Sequence, residues 1–440
     1  MTFWSFKTGH KRLGYRNRTA AKSSILRRKT FSAVVCWYVR RKRKEHPMIR
    51  SCIFAILLVL ILTFGHRAAA QQPPLTNVII STDLATGLNG GWRSGYSDID
   101  DGLAVAMAYF SSQLKVQGVV VTFGNNYMQP ELQVARTLVN TYMGASFPVV
   151  PGASISFNNP AAQTLTSSTP LLCSGNEGVE FMHSLLKPPS PSAPPPAKIT
   201  ILALGPLTDV ACLLAEHPKD GSQIQQIVAI MGRAPNEAFT INGVSGLSDF
   251  NMRRDSAAVA WLLQNTAVPV TFMGFSVTSS DLIGLQEVET KFVGSSELAK
   301  FFLTAATNWI KQWKSTFNEE GFHPWDQNAV YYVMNSKAYI CSPADFQLIS
   351  CGPPYSCAGQ SSGTALLCPS SKASVGQCSI QSYSPQWVDE LGEHEQLWLT
   401  PSTGAGRVNF CTAYAPGGKQ LFHNAVFEVF PAAAQSYRKR

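Results

Sequence analysis

From Asn77 to about Met334, short β-branched runs alternate with stretches whose apolar residues recur every three or four positions. The strand candidates are Val78–Ser81, Gly118–Phe123, Ile199–Leu204, Ile227–Met231 and Val268–Met273. Between them lie helical patterns over Asp101–Phe110, Gln133–Met143, Glu177–Leu186, Leu207–Leu214 and Ser256–Gln264. Strands that are apolar throughout have both faces covered, so this alternation predicts an α/β fold: an open, mostly parallel sheet with helices on both faces. Lys187–Lys198 (KPPSPSAPPPAK) reads as a polyproline-like surface connection within that fold, because the alternation resumes directly after it. Near the C-terminus, Arg407–Tyr414 and Leu421–Phe430 predict a β-hairpin about Pro416-Gly417-Gly418.

Ligands of such sheets collect beyond the carboxyl ends of the strands. There the first strand stops at Ser81-Thr82-Asp83, a Gly-rich loop follows, and Asp98-Ile99-Asp100-Asp101 opens a helix. Closely spaced carboxylates repel and raise each other's pKa unless a cation compensates them, and an all-oxygen set suits Ca²⁺ or Mg²⁺ rather than Zn²⁺. Asp98 and Asp100 could instead cap the helix and favour its dipole, but capping leaves Asp83 unexplained. The other strand ends carry Gly124-Asn125-Asn126, Gly205–Asp209 and Met231-Gly232, and Ser248-Asp249-Phe250-Asn251 precedes a helix signalled by Asp255. His323-Pro324-Trp325-Asp326 opens a further helical pattern, Gln327–Met334.

The formal charge of +9 gives no reason to expect a nucleic-acid partner. Residues 1–47 alone carry +13, which leaves the remainder at −4. From Met48 the chain reads as a secretory signal peptide: Arg50, an apolar run Cys52–Phe64, then Ala68-Ala69-Ala70, with cleavage expected near Ala70. Residues 1–47 are then an upstream stretch that is not translated; otherwise they are the cytoplasmic flank of a signal-anchor. The predicted organisation is a basic leader 1–47, a signal peptide or anchor 48–70, and one domain over 71–440. Within it, 341–384 is a Cys-rich, disulfide-stapled insertion. Eight cysteines follow Ala70, five of them between 341 and 378, with no C-x-x-C pair to suggest zinc. An even count beyond an export signal predicts disulfides and a secreted protein, with Cys173 and Cys212 either paired or buried thiols.

Taken together, the strand-end motifs resemble the inosine-uridine-type nucleoside hydrolases, which cleave the N-glycosidic bond of ribonucleosides. The likeness covers about Asn77 to Ala338, with a weaker echo in the C-terminal segment. The family's aspartate-rich motif is similar to Ser81-Thr82-Asp83 plus Asp98–Ala104, its Gly-Asn strand end to Gly124-Asn125, and its G-P-L-T-N segment to Gly205–Asp209. Its acidic-Phe-Asn motif is similar to Asp249-Phe250-Asn251, and its late metal-binding aspartate to Asp326. The resemblance implies one Ca²⁺ held by Asp83, Asp101, Asp326 and the backbone carbonyl of Leu204. It implies that Asp100 and Asn251 bind the ribose 2′- and 3′-hydroxyls, that Asp249 and Asn242 reach the 5′ end, and that Asn125 lines the ribose pocket. A tryptophan at 325 resembles the purine-preferring branch, where it stacks on the base; Trp92 is a candidate second ring.

The chemistry is coherent on its own terms. Riboside cleavage passes through an oxocarbenium-like state, stabilised by carboxylates around the sugar. Asp83 is the candidate base toward a water oriented by Ca²⁺. His323 is a candidate general acid for the leaving base, or else an ordinary loop histidine. Three departures from the family pattern stand out. Ser81 replaces the first acid of its D-x-D pair, the 84–97 loop is long, and the Cys-rich stretch has no counterpart. The expected partner is a small nucleoside, a homo-oligomer is compatible with the sequence, and no membrane partner is expected unless 52–64 stays uncleaved. The competing readings are a hydrolase of another riboside and a non-catalytic, Ca²⁺-dependent sugar-binding protein.

Overall fold

In a computed structural model of the chain, Val78, Ile79 and Ile80 are wholly buried, yet they do not share one core. Val78 and Ile80 pack in one hydrophobic cluster and Ile79 in another, as the two-residue period of a strand covered on both faces requires. Leu202 and Leu204 likewise join the first cluster, and Ile201 and Ala203 the second. The structure describes residues 74–428 apart from 91–94, 157–172, 174, 189, 191, 193, 236, 238, 248, 293–295, 351–362, 369–378, 384–394 and 405. The leader, the signal-peptide run and Trp92 lie outside the described residues. The chain divides into two units, Met1–Pro73 and Pro74–Arg440, and the described residues all belong to the second.

In chain order the elements begin β1 (Thr76–Thr82), α1 (Asp100–Phe110), β2 (Leu114–Val121), α2 (Met128–Arg136), β3 (Val149–Pro151), α3 (Glu177–Leu186), β4 (Ile199–Ala203), α4 (Thr208–Glu216) and β5 (Ile224–Ile230). A small antiparallel pair follows, β6 (Phe239–Ile241) and β7 (Val244–Leu247), then α5 (Phe250–Arg254), α6 (Ser256–Asn265), β8 (Val270–Met273) and α7 (Phe275–Thr278). Next come β9 (Ile283–Gly284), α8 (Leu285–Lys291), the long α9 (Glu297–Phe317), β10 (Gly321–Phe322) and α10 (Trp325–Met334). The chain finishes with β11 (Tyr339–Ser350), β12 (Gly363–Cys368), β13 (Ser379–Tyr383), β14 (Glu395–Pro401), β15 (Val408–Tyr414) and α11 (Gly418–Phe427).

The main sheet runs β13-β12-β11-β15-β8-β5-β4-β1-β2-β3, with β14 also on β11. From β15 to β3 every pairing is parallel, while β11 to β14 add antiparallel strands at one side. The chain leaves β1 toward β2 and β3, then returns to place β4 on the other side of β1. That reversal opens a crevice beyond the carboxyl ends of β1 and β4, the position where open α/β sheets bind ligands.

Three sequence expectations change. The predicted C-terminal hairpin is a strand and a helix: β15 forms, but 418–427 is α11. Gly417 takes φ 78 at the predicted turn, yet beyond it Phe422, Ala425 and Val426 bury one helical stripe. Within the Cys-rich insertion, the described residues contribute β11, β12 and β13 to the sheet. Cys341 pairs with Cys411 across β11 and β15, and Cys173 with Cys212, so the buried-thiol alternative falls. Lastly, the helix read at Gln133–Met143 begins at Met128 and passes into a π-helical segment, Thr137–Tyr142.

Candidate active site

β1 delivers Asp83 into the crevice, where the two neighbouring strand ends leave room only for glycines. A Cβ on Gly124 would stand 2.0 Å from Asp83 Oδ2, and one on Gly205 2.8 Å from Oδ1. The Asn125 N–H donates to Asp83 Oδ2 at 2.9 Å, fixing that carboxylate from below. Asp98, Asp100 and Asp101 converge so that one carboxylate oxygen from each lies within 4.8 Å of the others. The α1 N-cap is Ile99, with no side-chain cap, so capping does not account for these acids. Thr82 donates its hydroxyl to Asp101, and Asn125 Nδ2 donates to Asp98 Oδ1 at 3.0 Å and Asp101 Oδ2 at 3.1 Å. Asp326, from the first turn of α10, hydrogen-bonds to Asp101. Gln327 Nε2 donates to the Asp100 carbonyl at 2.9 Å and so locks α10 onto α1.

Asp83 and Asp101 are each 1% exposed, Asp100 and Asp326 4%. Burial, and then each other's charge, pushes Asp83, Asp100 and Asp326 well above the ordinary carboxylate range. Burial raises Asp101 to about 6, held down by its bonds to Thr82, Asp326 and Asn125. Among the described residues, no lysine or arginine offsets these four acids. Asp100 Oδ1 and Asn125 Oδ1 are buried with no hydrogen-bond partner. Unpartnered oxygens among crowded, buried acids fit a hard cation, and Asp83, Asp101, Asp326 and the Leu204 carbonyl beside them offer only oxygen donors.

One consequence is a reversed pH profile for the cation-free protein. Carboxyls with raised folded-state pKa values stabilise the fold fully below their unfolded pKa, and that stability is lost as pH rises through the folded value. For Asp101 the window runs from about 4 to about 6 and is worth on the order of 3 kcal/mol. With chelator present, the melting temperature is therefore expected to fall between pH 4.5 and 8. A rise across that range would contradict the buried acidic cluster.

Above the acids opens a cavity of about 600 Å³, the size of a small-ligand site. Asp83, Asp100, Asp101, Asn125, Leu204, Asp249, Asn251, Trp325 and Asp326 all line it. Asn251 Nδ2 donates to the Leu204 carbonyl at 2.5 Å and to that of Ile230 at 3.1 Å. Asp249 accepts from Gly232 N at 2.6 Å and caps α5 through Met252 N. Two expected residues stand elsewhere. Asn242 is exposed, with φ 44, and its amide donates to the carbonyls of Phe317 and Asn318, so it ties the β6–β7 turn to the end of α9. His323 is also absent from the lining: Nδ1 meets the Asp281 carbonyl at 2.7 Å and Nε2 meets Glu319 at 3.0 Å. Both ring nitrogens therefore have protein partners here, and the ring does not line the cavity. Glu319, depressed by that histidine, accepts from Trp313 Nε1 at 3.0 Å and so steadies a ring of the cavity wall.

That wall was missed in the sequence. Trp309, Gln312, Trp313, Thr316 and Phe317 come from α9, whose i, i+4 tryptophans were the available signal. Phe239, Phe275 and Tyr96 complete it. Tyr96 N donates to Gln312 Oε1 at 2.5 Å, and Asn126 Nδ2 donates to the Gly90 carbonyl at 2.8 Å, so the long 84–97 loop is pinned at both sides. Glu131 was missed too. Burial, and then the charge of Asp83, pushes it up to about 12, and it holds Asn126 N beneath the Gly124–Asn126 turn.

An acid-floored, aromatic-walled crevice at the switch point of a parallel sheet defines an α/β protein built to hold a cation and a small polar ligand. The sequence model of the inosine-uridine preferring nucleoside hydrolases matches residues 94–387, and the chain belongs to that family. It is 27% identical over 201 residues to the non-specific ribonucleoside hydrolase RihC of Klebsiella pneumoniae (strain 342), and 27% over 194 residues to RihC of Salmonella enteritidis PT4. These alignments cover 44% and 42% of the chain, and the chain spans 63% and 60% of the length of those relatives, under two thirds of either. In fold it is similar to the purine-preferring ribonucleoside hydrolase from Gardnerella vaginalis (TM-score 0.55, 16% identity, covering 81% of this chain and 99% of that one). It is also similar to a plant nucleoside hydrolase, PpNRh1 (TM-score 0.52, 15% identity, 81% and 99%).

Proposed function

We propose that the protein is an exported, Ca²⁺-dependent ribonucleoside hydrolase that releases free base and ribose, with a preference for purines. The observation that carries this reading is the convergence of Asp83, Asp100, Asp101 and Asp326, from three separate chain segments, beneath a wall of indole and phenyl rings. Asp83, Asp101, Asp326 and the Leu204 carbonyl would hold Ca²⁺, which when bound neutralises the acids and orients sugar and water. Asp83, fixed by Asn125 N, accepts the proton of the attacking water. Asp100 offers its unpartnered Oδ1 to a sugar hydroxyl, while Asn251 spends its amide nitrogen on two carbonyls and presents Oδ1. Asp249 reaches the 5′ end. The carboxylates favour positive charge as it develops on the ribose ring.

For the leaving base, Trp325 provides a stacking face, its ring 5.6 Å from that of Trp313 in an edge-on arrangement. Purines present the larger π surface, which is the basis for the preference. Export agrees with the two disulfides, which form in oxidising compartments. Assaying inosine, guanosine, adenosine, uridine and cytidine for release of free base and free ribose tests the assignment. Trp325→Ala is expected to lower kcat/KM for purines about tenfold and for pyrimidines less. Absence of turnover on all five substrates, with Ca²⁺ present, would favour the sugar-binding alternative.

A further inference from the structure

A second cluster of ligating side chains sits on the far side of the fold from the cavity. α4 starts beside the Leu204-Gly205 floor and runs away from it for nine residues, about 13 Å. It ends at His217, just before the turn Pro218–Gln223 that leads into the start of β5. Here the His217 ring lies flat on that of His183 from α3, centroids 3.7 Å apart and planes 10° from parallel. Each ring directs one nitrogen to a carboxylate: His183 Nδ1 meets Asp220 Oδ2 at 2.7 Å, and His217 Nε2 meets Glu180 Oε1 at 3.2 Å. The opposite nitrogens, His183 Nε2 and His217 Nδ1, have no partner among the described residues.

We propose that His183, His217 and Asp220 form a binding site for a transition-metal ion of the Zn²⁺ class, separate from the acidic centre. One ligand atom from each of the three lies within 4.8 Å of the others, close enough to share an ion after small side-chain rotations. Imidazole nitrogens select zinc, nickel or copper over calcium. A carboxylate on the second nitrogen of a ligating histidine is the usual device for setting its tautomer and raising its basicity, and Glu180 holds that place on His217, while Asp220 is itself one of the three ligands. Both rings are about a quarter exposed, so an ion can reach them, whereas Asp220 is largely buried and fixed in place. Glu216 stands at the rim, grouped with His217 and Glu180. The Cys173–Cys212 disulfide ties α4 to the chain just ahead of α3, so the two histidine-bearing helices are held in register before any ion arrives.

The test is a calorimetric titration of ZnCl₂ into the purified full chain in saturating Ca²⁺, which keeps the acidic centre filled. The expected result is one Zn²⁺ per chain at roughly micromolar Kd, not displaced by excess Ca²⁺. The double variant His183→Ala/His217→Ala is expected to bind it roughly 100-fold more weakly, with zinc-free nucleoside hydrolysis unchanged. His217→Gln, a milder change at a half-buried position, guards against a folding defect and is expected to weaken binding about tenfold. Wild-type protein that binds Zn²⁺ no tighter than millimolar overturns the proposal, as does wild-type affinity surviving in either variant.

Discussion

Asp83→Asn is expected to lower kcat by roughly 10²- to 10⁴-fold while leaving a folded protein. The amide keeps the shape of the side chain, so the glycines at 124 and 205 still accommodate it, but it cannot take a proton. Its effect on stability should change sign with calcium. Without a cation, the wild-type protein buries Asp83 against Asp101 and Asp98, and the raised pKa of Asp83 records that penalty. The amide removes the charge, so cation-free Asp83→Asn is expected to melt higher than the wild type at pH 8 by an amount worth about 1–3 kcal/mol. With calcium the order is expected to reverse, because the variant would lack one of the proposed ligands. Stability and activity measured on the same two proteins check both halves. An Asp83→Asn enzyme with more than a tenth of wild-type kcat would remove Asp83 from the chemistry.

Gly124→Ala is expected to be nearly as damaging, although it deletes no functional group. The added methyl would stand 2.0 Å from Asp83 Oδ2 and 2.6 Å from Cγ, far inside contact distance. Either the Asp83 carboxylate turns away or the Gly124–Asn126 turn shifts, and both break the Asn125 N–H bond to Asp83. Displacing a reacting group by about 1 Å costs on the order of 10²-fold in rate, and overpacking a buried site costs about 1–3 kcal/mol. The variant should also bind calcium more weakly, because Asn125 contacts Asp98 and Asp101 through the same turn. Steady-state kinetics and calorimetry would show this; unchanged kcat would mean that the crevice is looser than the packing indicates.

The parallel sheet was legible because its strands are apolar throughout, a pattern imposed by burial on both faces. The acids were legible because Asp83 and Asp98–Asp101 stand where a strand ends and a helix begins. Asp326, more than two hundred residues later, has no local signature that distinguishes it from a helix-start aspartate; only its place in a family-like series marked it. The aromatic wall was harder to read: the i, i+4 spacing of Trp309 and Trp313 marks one inward face of α9, but core residues share that spacing, so it does not separate a cavity wall from packed core. At the C-terminus, Pro416-Gly417-Gly418 suggested a hairpin because turn chemistry is local. The choice between strand and helix after Gly417 is made by the buried stripe of Phe422, Ala425 and Val426. The hydrogen-bond partners of Asn242 and His323 come from tertiary packing, which their local sequence does not encode.

The central claim is that Asp83, Asp101 and Asp326, brought together from distant parts of the chain, share one divalent ion required for turnover. The direct measurement is inosine hydrolysis by the full chain during EGTA treatment and stepwise return of Ca²⁺, with bound calcium counted at each step. The account predicts that activity disappears on chelation and returns in proportion to a single Ca²⁺ per chain. Hydrolysis that continues undiminished in excess EGTA, with no calcium bound, would contradict it.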